Sequence, residues 1–140
     1  MGMIFWRHDM LRITKITDYG FILLVHMASQ DKDLLHNAKD LSATSGIALP
    51  TVSKVLKILT QGHILKSQQG SKGGYFLARP ASEITAAEIV EVVEGPVAIT
   101  DCSGAEGCER NCQVSESWQK VNGTVVGTLQ KLTLADMAAS

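Results

Sequence analysis

The stretch NAKDLSATSGIALPTVSKVLKILTQG, residues 37–62, decides the fold of this chain. Asn37 is a favourable N-cap and Asp40 places a carboxylate at the positive start of a helix, so we predict a short helix that ends at Gly46. Pro50 suits the first turn of a second helix, which the glycine at the end of the stretch terminates. Two short helices joined by a tight turn predict a helix-turn-helix.

The second of these helices is predicted to have two different faces. Its apolar stripe, at helical spacing, consists of Val52, Val55, Leu56 and Leu59. The opposite face is polar and basic, which is typical of a helix that enters the major groove of DNA. On this face we expect Lys54 and Lys57 to neutralise phosphates. We expect Thr51 and Ser53 to approach base edges.

A β-hairpin, the wing, is predicted to follow the two helices. Residues 63–69 and 75–77 are compatible with strands, and the glycine-rich residues 70–74 form the turn between them. These glycines lack the spacing of nucleotide-binding loops, and they join two strands where those loops lead into a helix. Residues 10–80 are therefore predicted to form a winged helix-turn-helix DNA-binding domain. The wing residues that we expect near DNA are Gln69, Ser71 and Lys72.

The other helices complete a predicted fold that is mainly α-helical with one small β-hairpin. A first helix is predicted to start at a Thr17 cap and to end at residues 31–33, and a connecting helix is predicted over residues 82–94. A long amphipathic helix is predicted from Val114. Its apolar stripe consists of Trp118, Val121, Val125, Thr128 and Leu132. We expect this helix to pair with its copy in a homodimer, and the alternative is that it packs against its own domain.

The chain therefore divides into five predicted segments. They are a flexible leader at 1–9, the DNA-binding domain at 10–80, a connecting helix within 81–97, a cysteine segment at 98–113, and a dimerisation helix with a tail at 114–140.

The composition is that of one globular domain with an extension. The chain has 140 residues, of which 45% are hydrophobic and 19% charged, and no apolar run reaches the ~20 residues that span a membrane. Residues 1–80 carry ten Lys or Arg against five Asp or Glu, whereas residues 81–140 carry three against nine. The basic first half favours a polyanionic partner such as nucleic acid. No secretory signal is recognisable, which predicts a cytoplasmic protein without a membrane partner.

All three cysteines lie in one stretch, CSGAEGCERNC at residues 102–112. Thiolates are soft ligands that suit zinc, copper(I) and iron–sulfur clusters, and in a reducing compartment such a trio favours metal or redox chemistry over a structural disulfide. Structural zinc usually takes four ligands in two closely spaced pairs, which disfavours zinc. Oxidation of metal-free thiols to a disulfide stays open as an alternative. No histidine and asparagine pair accompanies the cysteines, so we predict that the protein is not an enzyme.

The three predicted metal ligands, Cys102, Cys108 and Cys112, leave a fourth ligand to come from elsewhere. All four histidines precede these cysteines in the chain. The candidates are a carboxylate in or beside the cysteine segment, a residue of the first helix, or a residue of a partner subunit.

Several motifs resemble the IscR, NsrR and RirA family of bacterial winged-helix regulators. They are LRITKITDYG at 11–20, GGYFLARPASEIT at 73–85, VVEGP at 92–96, the three cysteines, and LTLADM at 132–137. The resemblance implies a homodimer that binds operator DNA and holds a 2Fe-2S or 4Fe-4S cluster on the cysteine segment. The first motif and the five-then-three cysteine spacing look most like regulators of the SUF iron–sulfur assembly operon. This likeness implies repression of cluster-assembly genes when clusters are plentiful.

Two positions depart from the pattern of the family. IscR-like members have a histidine ligand after the last cysteine, where this chain has Ser115, and they have an arginine in the wing, where this chain has Gln69. NsrR-like members are similar at Thr17-Asp18, where the aspartate reaches the cluster of the other subunit, so the resemblance makes Asp18 of the partner subunit the candidate fourth ligand.

The alternatives to a cluster-sensing regulator are a nitric-oxide or thiol-redox sensor on the same scaffold, a zinc-stabilised DNA-binding protein, and an iron–sulfur carrier or electron-transfer protein.

Overall fold

A computed structural model describes residues 14–31, 34–95 and 114–139 of the chain. Its elements, in chain order, are α1 Lys15–Ala28, α2 Ala38–Ser45, α3 Leu49–Gln61, β1 Leu65–Gln68, β2 Gly74–Leu77, a 3₁₀ turn Ala81–Glu83, α4 Ala86–Glu94, α5 Ser115–Lys131 and α6 Leu134–Ala139. The predicted fold class, mainly α-helical with one small β-hairpin, is confirmed. The predicted leader at 1–9 and the cysteine segment at 98–113 lie outside the described residues.

The helix-turn-helix forms because each helix end carries a chemical signal. The Asn37 side chain accepts a hydrogen bond from the Asp40 N–H at 2.8 Å and donates one to the Asp40 carboxylate at 3.0 Å, which caps the start of α2. Gly46 ends α2 with a φ of 79°, a left-handed conformation that other residues rarely adopt. Pro50 lies in the first turn of α3, as predicted.

The hydrophobic core is assembled around α3, which packs against α1, α2, α4 and β1. All four residues of the predicted apolar stripe of α3 have 0% of their surface exposed. Leu23 and Leu24 of α1 and Ile89 of α4 belong to the same buried cluster. Burial of each such side chain stabilises the fold by about 1.5–3 kcal/mol. One face of α3 is therefore fixed in the core, and the other is left to solvent.

The start of α1 differs from the prediction. Thr14, and not Thr17, is the N-cap: its backbone is extended, with φ −69° and ψ 163°, and its Oγ1 accepts a hydrogen bond from the Thr17 N–H at 3.3 Å. Thr17 is instead a fully buried residue of the first turn. Ile22 of this helix is 41% exposed. The helix ends at Ala28, before the predicted residues 31–33.

The wing is confirmed as an antiparallel hairpin, in which Leu65 of β1 lies opposite Leu77 of β2. His36 anchors the hairpin to the connection between α1 and α2, because its N–H donates to the Tyr75 carbonyl at 2.9 Å and its carbonyl accepts from the Tyr75 N–H at 2.7 Å. A Cβ at Gly74 would lie 2.8 Å from the His36 carbonyl oxygen, so this close approach requires glycine.

The connecting helix is shorter than the predicted 82–94. Ala81–Glu83 forms a 3₁₀ turn and Ile84 is extended. Thr85 caps α4, because its hydroxyl accepts a hydrogen bond from the Glu88 N–H at 3.1 Å. Pairing of the extended residue with the C-terminal tail interrupts the helix that sequence periodicity predicted.

The C-terminal tail contains a helix, α6, that was not predicted. Thr133 and Asp136 cap it reciprocally: the Thr133 N–H donates to the Asp136 carboxylate at 3.0 Å, and the Asp136 N–H donates to the Thr133 hydroxyl at 3.1 Å. Hydrogen bonds from the backbone of Thr133, and then from its side chain, lower the pKa of Asp136. Leu134 is fully buried, and its N–H donates to the Ile84 carbonyl at 2.8 Å. Because α6 packs on α1, the C-terminal tail returns to the first helix.

The side chain of His36 makes the stability of the folded protein sensitive to pH. Its side chain is buried, and its ring centroid lies 5.9 Å from that of His26. Burial first, and then repulsion from His26, lower the pKa of His36 below 6.5, although Asp40 acts in the opposite direction. Just below pH 6.5 the unfolded chain therefore takes up a proton that the folded protein does not.

We expect the free energy of unfolding to fall as the pH decreases below 6.5, and His36→Gln to remove part of this dependence. Above that pH neither state binds the proton, so His36 adds no pH dependence there. Denaturant unfolding on either side of pH 6.5 measures the effect. His63→Gln is the matched control, since His63 is exposed. An unchanged pH dependence in His36→Gln would contradict the assignment.

Candidate nucleic-acid interface

The outer face of α3 is exposed and basic, as predicted. Ser53, Lys54 and Lys57 are exposed, and Thr51 is half-buried at the edge of the same face. α3 presents these side chains to solvent because its apolar stripe holds the opposite face in the core. Their contacts with DNA stay predictions.

The wing adds a second exposed polar surface. Gln69, Ser71 and Lys72, the predicted wing residues, are all exposed around the turn. Lys66 on β1 is exposed too and was not predicted, although the alternation of Leu65 inward and Lys66 outward along a strand could have identified it. α3 packs against β1, so the cations of the recognition helix and of the wing belong to one packed unit.

The lysines of this surface are available to an anionic partner. Within residues 14–31, 34–95 and 114–139, Lys54, Lys57 and Lys72 form no ion pair with an acidic side chain. Arg79, by contrast, is engaged in an ion pair with Glu88 at the start of α4.

A cleft of about 470 Å³ lies beside α3, where it meets the start of α1 and the end of α4. Its walls are formed by Thr14 and Ile16 of α1, Lys54 and Ile58 of α3, and Val93 and Glu94 of α4. The start of α1 and the end of α4 therefore both face α3 across this cleft, and Lys54 of α3 lines it.

Glu94 binds the start of α1 from across this cleft. Its Oε2 accepts hydrogen bonds from the Thr14 N–H at 3.0 Å, from the Thr14 hydroxyl at 3.1 Å and from the Thr17 hydroxyl at 2.5 Å. A carboxylate is disfavoured at the C-terminal end of its own helix and is stabilised at the start of another. We call Thr14, Thr17 and Glu94 the threonine–glutamate clamp. It was not predicted, because Thr14 and Glu94 are 80 positions apart and no local pattern connects them.

The predicted metal ligands are divided between described and undescribed parts of the chain. Cys102, Cys108 and Cys112 lie outside the described residues. Asp18 is exposed in the first turn of α1, and its N–H donates to the Thr14 carbonyl at 3.0 Å. Among the residues that the structure describes, there is no group of three or more His, Cys, Asp or Glu side chains that could hold a metal ion.

Part of the apolar stripe of α5 is exposed, although α5 packs against α4 and Val125 is half-buried. Trp118 is 37% exposed, Val121 44% and Leu132 39%. A Cβ added at Gly123 or Gly127 would meet nothing within 4 Å. Packing of α5 against its own domain, the alternative considered from sequence, leaves these groups in solvent. An uncovered apolar face of this kind is typical of an interaction surface.

None of the helices described above is long and apolar enough to cross a bilayer.

Comparisons with known proteins agree with this arrangement. The Rrf2 family, described as iron-dependent transcriptional regulators, matches residues 13–140. An HTH-type transcriptional regulator, IscR of Photorhabdus laumondii, is 27% identical over 129 residues, which cover 91% of this chain and 79% of the relative. IscR of Serratia proteamaculans matches to the same extent.

Solved structures share the fold as well. CymR of B. subtilis, described as the global cysteine regulator of that organism, has a TM-score of 0.77 at 26% identity, over 93% of this chain and 98% of its own. The IscR of T. potens has a TM-score of 0.72 at 26% identity, over 91% of this chain and 85% of its own.

Proposed function

The chain belongs to the Rrf2 family of transcriptional regulators, and from that premise we propose that it is a homodimeric, cytoplasmic sensor that adjusts transcription to the state of an iron–sulfur cluster. The protein is a DNA-binding transcriptional regulator and not an enzyme, as its IscR and CymR relatives are regulators.

One observation carries the proposal. The chain combines an exposed basic recognition helix with three thiols inside one stretch of residues 102–112. An iron–sulfur carrier has no need for the basic helix. Structural zinc would use the thiols without sensing, but it usually takes four ligands in two closely spaced pairs, which this chain does not offer in that stretch. The combination supports a regulator whose DNA affinity depends on what the thiols hold.

The proposed cluster is held by Cys102, Cys108 and Cys112, with Asp18 of the partner subunit as the fourth ligand. Thiolates suit iron–sulfur clusters, and the exposure of Asp18 leaves its carboxylate accessible to a second subunit. When bound, such a cluster supplies redox- and oxygen-sensitive chemistry. The exposed part of the α5 stripe is the proposed dimer contact. The proposed targets are SUF-type cluster-assembly genes, repressed when clusters are plentiful, which the resemblance to SUF regulators supports.

A second candidate is thiol-redox sensing without a metal, or nitric-oxide sensing, on the same scaffold. The likeness to CymR, a cysteine regulator, favours the thiol form of this candidate. In it, oxidation of two cysteines to a disulfide would replace the cluster as the signal.

The test is a DNA titration with two forms of one preparation. Protein purified without oxygen and reconstituted with ferrous iron and sulfide is compared with the same protein after chelation of iron, using a duplex selected from a random library with the wild-type protein. We expect visible absorption, bound iron and sulfide, and different DNA affinities of the two forms. Zinc without iron would instead indicate a zinc-stabilised protein, and an iron-free protein whose affinity follows thiol oxidation would indicate the second candidate. Complete indifference to DNA would indicate a carrier.

A further inference from the structure

The threonine–glutamate clamp lies between the parts of the chain that sensing must connect. Glu94 is the last residue of α4, directly before the Gly95-Pro96 that leads to the cysteine segment. Thr17, whose hydroxyl donates to Glu94, directly precedes Asp18 on α1. The clamp therefore joins the segment that leads to the three proposed cysteine ligands of this chain to the start of α1, whose Asp18 is the proposed ligand of the partner's cluster.

The same place is in contact with the recognition helix. Lys54 and Ile58 of α3 share the walls of the cleft with the clamp. One turn further along α1, a Cβ at Gly20 would lie 3.8 Å from Val55 Cγ1 of α3 and 4.0 Å from Val93 Cγ2 of α4. Val93 is the neighbour of Glu94, and the helices α1, α3 and α4 pack against one another, so little space surrounds Gly20 between Val55 and Val93. A displacement of the end of α4 would therefore disturb the packing of α1 against α3.

The bonds of the clamp can form and break at modest cost. The two bonds to Thr14 are exposed to solvent, and only the bond to Thr17 is partly buried. Water can therefore replace Thr14 as the partner of the carboxylate, which leaves a small net free-energy difference between the closed and open clamp. Thr17 is itself fully buried, so the core fixes the position of the hydroxyl that donates to Glu94.

We propose that Glu94 is a positioning residue that couples the cluster state of the cysteine segment to the setting of the recognition helix. The inference rests on the proposed function, because it assigns the route by which cluster loading reaches α3. Glu94 contacts neither DNA nor the cluster in this role. It acts through Thr14, Thr17 and the packing of α1 against α3 and α4 beside Gly20.

The test compares Glu94→Gln with Glu91→Gln, an exposed glutamate of the same helix that takes no part in the clamp. Both variants and the wild type are titrated with the selected duplex, each in its iron–sulfur-loaded and its chelated form. The quantity compared is the ratio between the DNA affinities of the loaded and the chelated form of each protein. Coupling of ordinary size changes affinity about 5–150-fold, so we expect a ratio in that range for the wild type and for Glu91→Gln. For Glu94→Gln we expect a ratio within about twofold of unity. A merely structural role would change both affinities of Glu94→Gln equally and would leave their ratio intact.

A second pair of variants and a measurement on the wild type cover the case in which Glu94→Gln does not fold. Thr17→Val removes the hydroxyl that donates to Glu94, and Thr17→Ser keeps it, so only in the valine variant should the loaded and chelated forms bind DNA with nearly equal affinity. In the wild type, hydrogen exchange of peptides covering residues 14–20 and 49–61 should change together on loading with iron and sulfide. The inference is overturned if loading leaves the peptide of α3 unchanged.

The two hypotheses can fail separately. If the wild-type ratio is large and persists in Glu94→Gln and Thr17→Val, the clamp does not transmit, although the protein still senses a cluster. If the loaded and chelated forms of the wild type bind DNA equally well, cluster sensing and the inference fail together.

Discussion

Reversing two charges on the recognition helix, with Lys54→Glu and Lys57→Glu, is expected to lower the affinity for operator DNA by about 100-fold or more at physiological salt. Both side chains are exposed on the outer face of α3, and neither pairs with an acid among the described residues. Their charges are therefore free to neutralise phosphates, and glutamates there would repel the DNA backbone. The substitutions leave the buried stripe of α3 intact, so the fold should be retained.

The dependence of affinity on salt identifies the cause of this loss. Each phosphate contact contributes a slope of about 0.9 in log affinity against log salt concentration, so a homodimer that loses four lysine contacts should lose about 3.6 of its slope. Fluorescence anisotropy of the labelled duplex at several salt concentrations measures both quantities.

Charge reversal elsewhere on the surface serves as the control. Lys120→Glu with Lys131→Glu changes the net charge equally, on exposed positions of α5. Light scattering confirms first that each variant keeps the wild-type mass. If this control weakened binding as much as the α3 variant, net charge and not the recognition helix would explain the loss.

The helix-turn-helix was predictable because its determinants are local. Asn37, Gly46 and Pro50 mark helix ends within a few residues of the groups that they satisfy. The apolar stripe of α3 has the helical period, so the same pattern that predicts the helix also predicts which face is exposed. The locations of the predicted DNA-binding residues follow from that one periodicity and from the turn of the wing.

The parts that were missed depend on partners far away in the chain. Thr14 and Thr17 are both plausible caps, and what separates them is that Thr17 is buried and donates to Glu94, which is 77 positions away. The late start of α4 follows from the pairing of Ile84 with Leu134, which no local pattern contains. The start of α6 had a readable signal, because Thr133 and Asp136 have the spacing of a capping box.

Each of the substitutions Cys102→Ser, Cys108→Ser and Cys112→Ser is expected to remove the visible absorption of the reconstituted protein and most of its iron and sulfide. A serine hydroxyl is a hard ligand that stays protonated at neutral pH, so it does not replace a thiolate on iron. Ser103→Ala is the matched control, because it alters the same segment without removing a sulfur. It should retain the wild-type spectrum and metal content.

The fourth ligand is tested by its effect on cluster lifetime. Asp18→Ala is expected to shorten the lifetime in air without preventing assembly, since the three thiolates still bind. Glu116, an exposed carboxylate in the first turn of α5, is one of the competing carboxylates in or beside the cysteine segment, and Glu116→Ala should leave the lifetime unchanged. The reverse result would transfer the role of fourth ligand from Asp18 to Glu116.

The cysteine variants also separate cluster sensing from its alternatives, because the two kinds of regulator fail differently. A cluster needs all its thiolates at once, so loss of any one of the three cysteines should have a similar effect on colour and on DNA affinity. A disulfide needs only two, so one of the three variants should then respond to oxidation as the wild type does. Three equivalent variants support the cluster, whereas one variant with wild-type behaviour would identify the cysteine outside a disulfide and would contradict the cluster.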